Sequence, residues 1–300
     1  MVSVFITTKD QREHVKQCIQ SVVDQDYDRS FEITVLDDAS QDDTVEIVRK
    51  AFADRVTVVT SPKSLGWFHL LLKACEAARE DIIIFFDPHC VAADPQWLRT
   101  IVASFESDPE ISIVTGPLFK GNSFMAKLTG LTLEAAFLSH AKHKVHYVED
   151  DNFAIKKKVL RGLLQKLPVD QIVNDSAGSA LLAEELKRQG LSVLYEPRIG
   201  VFHISPDFKG YLRRFAQYSA QTSITIRQLD PSIRGAKWLK YPLLAACFFP
   251  SVRLLQDIKN VFRFRKELRL HFWETPILLT ASAIGKVWYS AGLLKILSRQ

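Results

Sequence analysis

An aspartate and a histidine, two residues apart, follow five apolar residues in the stretch DIIIFFDPHC, residues 81–90. A carboxylate oxygen and an imidazole nitrogen at this spacing could hold a divalent cation, because Mg²⁺ prefers oxygen ligands and Mn²⁺ also accepts imidazole. The alternative is a buried strand that simply ends in a turn, since Asp-Pro is common in loops. The stretch alone leaves both interpretations of Asp87 and His89 open.

Polar side chains also stand where other predicted strands end. Thr8 and Asp10 follow the apolar stretch VSVFIT, Asp37 and Asp38 end FEITVLDD, and Ser61 follows VTVVT. In open α/β sheets, ligands bind beyond the carboxyl ends of the strands. The polar side chains are therefore concentrated where such a fold places its binding site.

Apolar strands alternate with helical segments through the first half of the chain. Helical spacing of apolar residues spans 12–23, 42–52 and 68–79, and each helix lies between two predicted strands. This alternation indicates right-handed βαβ units around a mainly parallel sheet, so the predicted fold class is α/β. No GxGxxG or GxxxxGK[ST] motif follows a strand, which argues against a dinucleotide-binding or P-loop enzyme.

The cysteines and the amino terminus indicate a reducing compartment. Cys18, Cys75, Cys90 and Cys247 form no CxxC pair and have no zinc-site spacing, so we interpret them as buried or incidental thiols. No signal peptide precedes the first strand, since MVSVFITT already belongs to the fold. We therefore expect the amino-terminal part to lie in the cytoplasm.

The final part of the chain differs from the rest in charge and composition. Residues 207–300 hold 16 Lys and Arg against 5 Asp and Glu, a net charge of +11, whereas residues 1–206 hold 23 against 29. Two apolar stretches lie in this basic segment, and we expect Pro250 to interrupt the first and Gly285-Lys286 the second. Neither then reaches the roughly 20 apolar residues of a spanning helix, so helices lying on an anionic membrane surface are expected.

Two other interpretations of this basic segment exist. The first is a soluble helical subdomain whose apolar faces close on the α/β body. The second is a nucleic-acid-binding tail, but the segment is apolar and lacks a recognition motif, so no nucleic-acid partner is expected.

Four stretches, in their order along the chain, resemble an inverting glycosyltransferase of family 2 with the GT-A nucleotide-diphospho-sugar fold. They are VSVFITTKDQREHVKQCIQSVVDQDY, FEITVLDDASQDDT, FFDPHCVAADPQWL at the place of the family's DxD motif, and LYEPRIGVFHISP. The resemblance covers about residues 1–225 and implies a glycosyltransferase domain there, with a mainly parallel sheet flanked by helices. Residues 226–300 are then predicted to be a membrane-associated helical region.

The resemblance implies a nucleotide-sugar site at the strand ends. Asp38 would accept a hydrogen bond from the nucleobase, Thr8 and Asp10 would lie at the edge of the base and ribose, and Asp87 would also contact the donor. The segment from Asp38 to Ser40 could at the same time be a helix-capping turn.

A divalent cation on the donor diphosphate would act as a Lewis acid for the leaving nucleotide. The resemblance implies Asp87, His89 and His203 as its ligands, with His89 in the place of the last Asp of the DxD motif. Imidazole ligands favour Mn²⁺ over Mg²⁺.

The catalytic base departs from the family pattern. The family usually carries Glu-Asp at the start of the helix that ends near Gly190, and that Asp is the base, but Gly178 and Ser179 occupy these positions. Neither can take a proton from a sugar hydroxyl. Asp175 is the nearest upstream carboxylate and the predicted catalytic residue, with a helix cap or loop hydrogen bond as its alternative role.

The stretch VEDDNFAIKKKVL resembles the family's acceptor-side strand, so Asp150, Asp151 and Asn152 are predicted to bind acceptor hydroxyls, with a solvated acidic turn as the alternative. The implied function moves a sugar from a nucleotide-diphospho-sugar, first of all a UDP-sugar, to a glycan or polyprenyl-linked acceptor at the cytoplasmic membrane face. Because the usual base is absent, the alternative is a catalytically silent member that binds nucleotide sugar or scaffolds glycan assembly.

Overall fold

The computed structural model describes residues 2–119, 123–131, 141–145, 148–169, 175–204, 207–229, 231–233, 235–266 and 268–298, with backbone only at 175–178, 180 and 218. The chain divides into two compact units. The α/β unit comprises Met1–Phe119 and Ser139–His203, and the helical unit comprises Lys120–Leu138 and Ile204–Gln300. The division of function predicted at residue 225 stays a prediction.

The α/β unit contains two sheets. The strands of the larger sheet are β1 (Val2–Thr8), β2 (Phe31–Asp37), β3 (Thr57–Thr60), β4 (Ile82–Phe86), β6 (Ile113–Thr115), β8 (His143–Val145), β9 (Asn152–Lys156) and β10 (Val193–Tyr195). Their spatial order is β3-β2-β1-β4-β9-β6-β10-β8. The smaller sheet has the order β5-β11-β7, formed by β5 (Cys90–Ala92), β11 (Val201–His203) and β7 (Leu118–Phe119).

The larger sheet is mainly parallel, which confirms the predicted fold class. Strands β3, β2, β1 and β4 run parallel to one another, and β9 lies antiparallel between β4 and β6. The apolar run Ile83–Phe86 of β4 is buried, as an interior strand covered on both faces requires. The carboxyl ends of β1, β2 and β4 therefore open on the same edge of the sheet.

Helices cover this sheet and fix its strands. They are α1 (Val15–Val23), α2 (Thr44–Phe52), α3 (Trp67–Ala77), α4 (Trp97–Ser107), α6 (Lys157–Leu164) and α7 (Asp175–Arg188). Helix α1 shows why they form, because Val15, Cys18, Ile19 and Val22 recur at helical spacing and all four are completely buried in the core. The predicted helices at 12–23, 42–52 and 68–79 each correspond to a helix of the structure.

The helical unit has its own apolar core. Its helices are α5 (Phe124–Gly130), α8 (Phe208–Arg213), a π-helical stretch (Arg214–Ser219), α9 (Ala220–Leu229), a 3-10 helix (Ala236–Lys240), α10 (Pro242–Arg263) and α11 (Glu274–Leu297). Leu128, Phe215, Phe249, Leu278 and Tyr289 are among the residues buried in this core. The core joins α5 and the π-helical stretch to α10 and α11, so segments distant in sequence stabilise one another.

The predicted interruptions of the two apolar stretches are wrong, because α10 and α11 are continuous helices. Pro250 cannot donate to the carbonyl of Ala246, and the hydroxyl of Ser290 donates to that oxygen instead, at 2.8 Å. Lys286 is buried in α11, and its ammonium donates to Asp257 at 2.6 Å. In each case the neighbouring helix supplies the missing group, a hydrogen-bond donor for the carbonyl of Ala246 and a counter-charge for Lys286.

Gly285 serves a different purpose in α11. A Cβ atom at this position would lie 2.8 Å from the ring of Tyr211, so only glycine allows that ring to pack so closely. By length and composition α11 could cross a membrane, yet 44% of its most apolar 18-residue window is buried against the protein. The buried Lys286 and the contact at Gly285 show that one face of α11 packs on protein.

Candidate active site at the strand ends

Asp87 organises the turn that follows β4. One carboxylate oxygen, Oδ1, accepts a hydrogen bond from the backbone N–H of His89 at 2.8 Å and lies 2.7 Å from Nδ1 of its ring. The N–H of Cys90 donates to the carbonyl of Asp87 at 3.0 Å and leads the chain into β5. The Asp-Pro-His segment therefore holds its carboxylate and imidazole together, with the Asp87 side chain a quarter exposed.

Strand pairing brings His203 to this turn. In the smaller sheet β11 runs antiparallel to β5, and His203 lies opposite Cys90. The ring of His203 is buried, with Nε2 3.2 Å from Oδ2 of Asp151 and no hydrogen-bond partner for Nδ1 among the described residues. The rings of His203 and His89 stack with their centroids 5.8 Å apart. A buried nitrogen without a partner in the described part of the chain is available to a ligand.

The donor atoms fit a divalent cation at Asp87 and His203. One donor atom each from Asp87, Cys90 and His203 lies within 4.8 Å of the other two. Burial and the charge of Asp151 raise the pKa of Cys90 well above its usual range, so its thiol stays protonated and suits a hard cation poorly. His89 is not part of this group of three; the contact of its Nδ1 with Asp87 fixes the orientation of that carboxylate.

Asp150 and Asp151 lie beside this group. The backbone N–H of Asp87 donates to the carbonyl of Asp151 at 3.1 Å, which ties the acidic segment to the turn after β4. One carboxylate oxygen each from Glu149, Asp150 and Asp151 lies within 4.8 Å of the other two. Two of the three residues predicted to bind acceptor therefore lie beside the predicted donor and metal residues.

The carboxylate of Asp150 accepts a hydrogen bond from the hydroxyl of Ser179 in α7. Burial, followed by the negative charge of Asp151, raises the pKa of Asp150 to about 7. Ser179 stands at the position where the resemblance placed the missing aspartate. The chain therefore supplies a carboxylate to that place from the segment before β9, which sequence reasoning missed because the two residues are 29 positions apart.

Asn152 does not bind acceptor hydroxyls as the sequence predicted. Its side chain is completely buried, its Oδ1 accepts from the indole of Trp97 at 3.1 Å and its Nδ2 donates to the carbonyl of Ile199 at 2.7 Å. Asn152 begins β9, which lies between β4 and β6 inside the sheet, so no acceptor hydroxyl can reach it. Its role is to join three parts of the α/β core.

Asp38 connects the end of β2 to the segment before α3. Its carboxylate accepts hydrogen bonds from the backbone N–H groups of Leu65 and Gly66, at 2.6 and 3.2 Å, and from the hydroxyl of Ser64 at 2.6 Å. A carboxylate offers about four acceptor positions, so one remains for a nucleobase. Asp38 therefore holds the loop at residues 64–66, and its contact with a nucleobase stays a prediction.

Thr8 and Asp10 line the end of β1. The hydroxyl of Thr8 is buried and has no hydrogen-bond partner among the described residues. Asp10 adopts a positive φ of 52°, and its carboxylate accepts from the backbone N–H of Gln41 at 2.7 Å. That contact ties the loop after β1 to the loop after β2, the two loops predicted to enclose a base and ribose.

Asp175 begins α7. Its side chain lies outside the described part of the chain, so its role as base stays a prediction.

Sequence comparisons identify the family. The sequence model of "Glycosyl transferase family 2" matches residues 3–164, more than half of the chain. Among curated proteins, the glycosyltransferase AglE of Haloferax volcanii is 29% identical over 118 residues. That match covers 38% of each protein, so the chain spans well under half the length of this relative.

Solved structures share the fold over 78% to 100% of this chain. A mannosyltransferase from Pyrobaculum calidifontis, in complex with GDP-Man and Mn²⁺, superimposes with a TM-score of 0.59 and 18% identity, over 99% of this chain and 85% of that one. Residues 1–349 of TarS from S. aureus, in complex with UDP, give 0.57 and 15%, over 100% and 92%. GalNAc-T7 with UDP, GalNAc and Mn²⁺ gives 0.54 and 14%, over 78% and 52%. At these identities the likeness shows the GT-A fold.

Proposed function

Since this chain belongs to glycosyl transferase family 2, we propose that it moves a sugar from a nucleotide-diphospho-sugar donor to a glycan or lipid-linked acceptor, at the cytoplasmic face of a membrane. The observation that carries this proposal is the grouping of Asp87 and His203 at the end of β4, within the edge of the sheet where ligands of α/β folds bind. The Nδ1 of His203, buried without a described partner, supports a ligand there.

The donor would lie along the ends of β1, β2 and β4. The unsatisfied hydroxyl of Thr8 would donate to or accept from the base or ribose, and the remaining acceptor position of Asp38 suits an imide N–H. Asp10 would fix the loop between them. The first donor to test is a UDP-sugar, because TarS was solved with UDP-GlcNAc, and a GDP-sugar is next, because the mannosyltransferase was solved with GDP-Man.

Asp87 and His203 would hold a divalent cation, which as a Lewis acid stabilises charge on the leaving nucleoside diphosphate. Their mixed oxygen and nitrogen donors favour Mn²⁺, and two of the similar structures were solved with Mn²⁺. His89 would keep the Asp87 carboxylate in place through its ring N–H. A buried, protonated Cys90 would limit the room around the ion without binding it.

Asp150 would act as the general base in place of Asp175. An inverting transfer needs a group that takes the proton of the acceptor hydroxyl as it attacks the sugar. A carboxyl pKa of about 7 suits this task at neutral pH, and the hydrogen bond from Ser179 orients the carboxylate. Asp151 would help to hold the acceptor next to it.

A thermal-shift panel tests donor binding directly. We expect UDP or GDP to raise the melting temperature of the full chain in the presence of Mn²⁺, because a ligand that binds only the folded state stabilises it by mass action. Thr8→Val removes the unsatisfied hydroxyl at constant volume and should reduce the shift, whereas Asp38→Ala would also disturb the loop at Leu65. Absence of a shift with every nucleoside diphosphate, with and without Mn²⁺, would refute the donor site.

A further inference from the structure

An open cleft with a basic lining lies in the loop between α10 and α11. Its volume is about 440 Å³, and its lining residues are Arg265, Lys266, Arg269, Leu270 and His271. The side chains of its three cations are exposed. Residues 262–274 contain four Arg and Lys against two Glu, and one of these, Glu274, is engaged by Lys127 at 2.6 Å. The cleft therefore carries a net positive charge.

The backbone of the loop holds these cations in place. The N–H of Arg269 donates to the carbonyl of Lys266 and that of Leu270 to the carbonyl of Arg265, both at 2.9 Å. Nε of Arg265 donates back to the carbonyl of Leu270 at 3.3 Å. These hydrogen bonds close the backbone of the loop and hold the Arg265 guanidinium, so part of the cost of ordering the loop is met before any anion binds.

Three exposed aromatic residues flank the cleft residues in sequence. Phe262, Phe272 and Trp273 are 74%, 81% and 64% exposed, and the guanidinium of Arg265 lies 5.7 Å from the ring centre of Phe272. Large aromatic groups beside Arg and Lys are typical of the headgroup level of a bilayer, where the ring enters the apolar layer and the cation meets phosphate.

A separate apolar groove lies along the first turns of α11. It is about 380 Å³ in volume and is lined by Pro276, Ile277, Thr280, Ala281 and Ile284. The groove begins five residues after His271, in the first turn of α11. A basic cleft and an apolar groove in this order match a phosphate headgroup and the hydrocarbon chain attached to it.

We propose that the loop between α10 and α11 binds the phosphate headgroup of an anionic bilayer phospholipid, with a hydrocarbon chain along the groove on α11. The open cleft and exposed cations suit a headgroup that stays hydrated at the membrane surface. This site refines the membrane association in the proposed function and rests on it, but lipid binding is measured without turnover, so the two can fail separately.

The test is flotation of the full chain with three kinds of vesicle: neutral phosphatidylcholine, phosphatidylcholine with phosphatidylglycerol, and phosphatidylcholine with a polyprenyl phosphate. The cleft variant Lys266→Gln/Arg269→Gly removes two cations, and glycine accepts the positive φ of 49° at residue 269. The matched control, Lys237→Gln/Lys240→Gln, removes two exposed cations elsewhere in the helical unit. We expect the cleft variant to bind anionic vesicles roughly 30-fold more weakly, about 1 kcal/mol for each cation, and the control much less.

Three results would overturn the proposal. The first is an equal loss in the cleft variant and the control, which would mean diffuse attraction of the basic surface. The second is equal binding of the wild type to neutral and anionic vesicles. The third is binding only to vesicles that contain a polyprenyl phosphate, which would assign the cleft to a lipid-linked acceptor. Phe272→Ser should also weaken binding in high salt, because salt screens the charges but does not prevent insertion of the ring.

Discussion

Asp150→Asn is expected to lower kcat by about 10² to 10⁴-fold, the usual contribution of a positioned general base. Asparagine keeps the shape of the side chain and can still accept a hydrogen bond from the Ser179 hydroxyl. The loss of kcat therefore measures the missing proton acceptor and not a change in the fold. Asp175→Asn, measured beside it, should leave kcat within a few-fold of the wild type. A large loss in Asp175→Asn with little change in Asp150→Asn would return the role to Asp175.

The pH dependence of the rate and of the melting temperature tests whether Asp150 acts as a base. The wild-type rate should fall as the pH drops below the pKa of Asp150, because the protonated carboxyl cannot accept the hydroxyl proton; that pKa is about 7 in metal-free protein, and a cation at Asp87 would lower it. In metal-free protein the raised pKa also lowers stability: above pH 7 the folded chain must ionise a carboxyl that its surroundings keep protonated. Asp150→Asn should therefore melt higher than the wild type at pH 8, and the difference should shrink as the pH falls from 7 towards 4.

Asp257→Ala is expected to lower the stability of the helical unit by about 3–5 kcal/mol, the usual cost of leaving one member of a buried ion pair alone. Lys286 is 4% exposed, its burial lowers its pKa, and Asp257 opposes that effect. The hydroxyl of Ser282 also donates to Asp257, so the substitution leaves two groups without their partner. Thermal melting of the full chain measures the loss.

A double variant is the control for this prediction. Asp257→Leu/Lys286→Met replaces both charges with apolar groups of similar size and should recover most of the lost stability, since such replacements are often neutral or favourable. If Asp257→Ala melts like the wild type, then Lys286 does not sit in a packed core, and α11 is open to its surroundings on that face.

Much of the α/β unit follows from local patterns in the sequence. The run of five apolar residues before Asp87 requires a strand covered on both faces, and β4 is that strand. The periodic burial of Val15, Ile19 and Val22 is likewise visible in the sequence as a helical stripe. These features need no knowledge of distant residues, so sequence reasoning could predict them.

The features that sequence reasoning missed depend on pairs far apart in the chain. Pro250 leaves the carbonyl of Ala246 without its helical donor. Nothing in the nearby sequence shows that the hydroxyl of Ser290, 44 residues after Ala246, donates to it. Asn152 follows two aspartates and looks like part of a polar turn, but strand order places it inside the sheet. The contact between Ser179 and Asp150 depends in the same way on how α7 docks.

The most direct test of the proposed site is release of nucleoside diphosphate from the donor that gives the largest thermal shift, measured with a panel of glycan and lipid-linked acceptors and with water as the acceptor in slow hydrolysis. The wild type should release it in the presence of Mn²⁺ and stop when a chelator is added. Asp87→Ala and His203→Ala should lose this activity, whereas Cys90→Ser should keep it, because the buried thiol does not bind the ion. Donor binding without any release would favour a catalytically silent member, and release that ignores the chelator and both variants would contradict the proposed site.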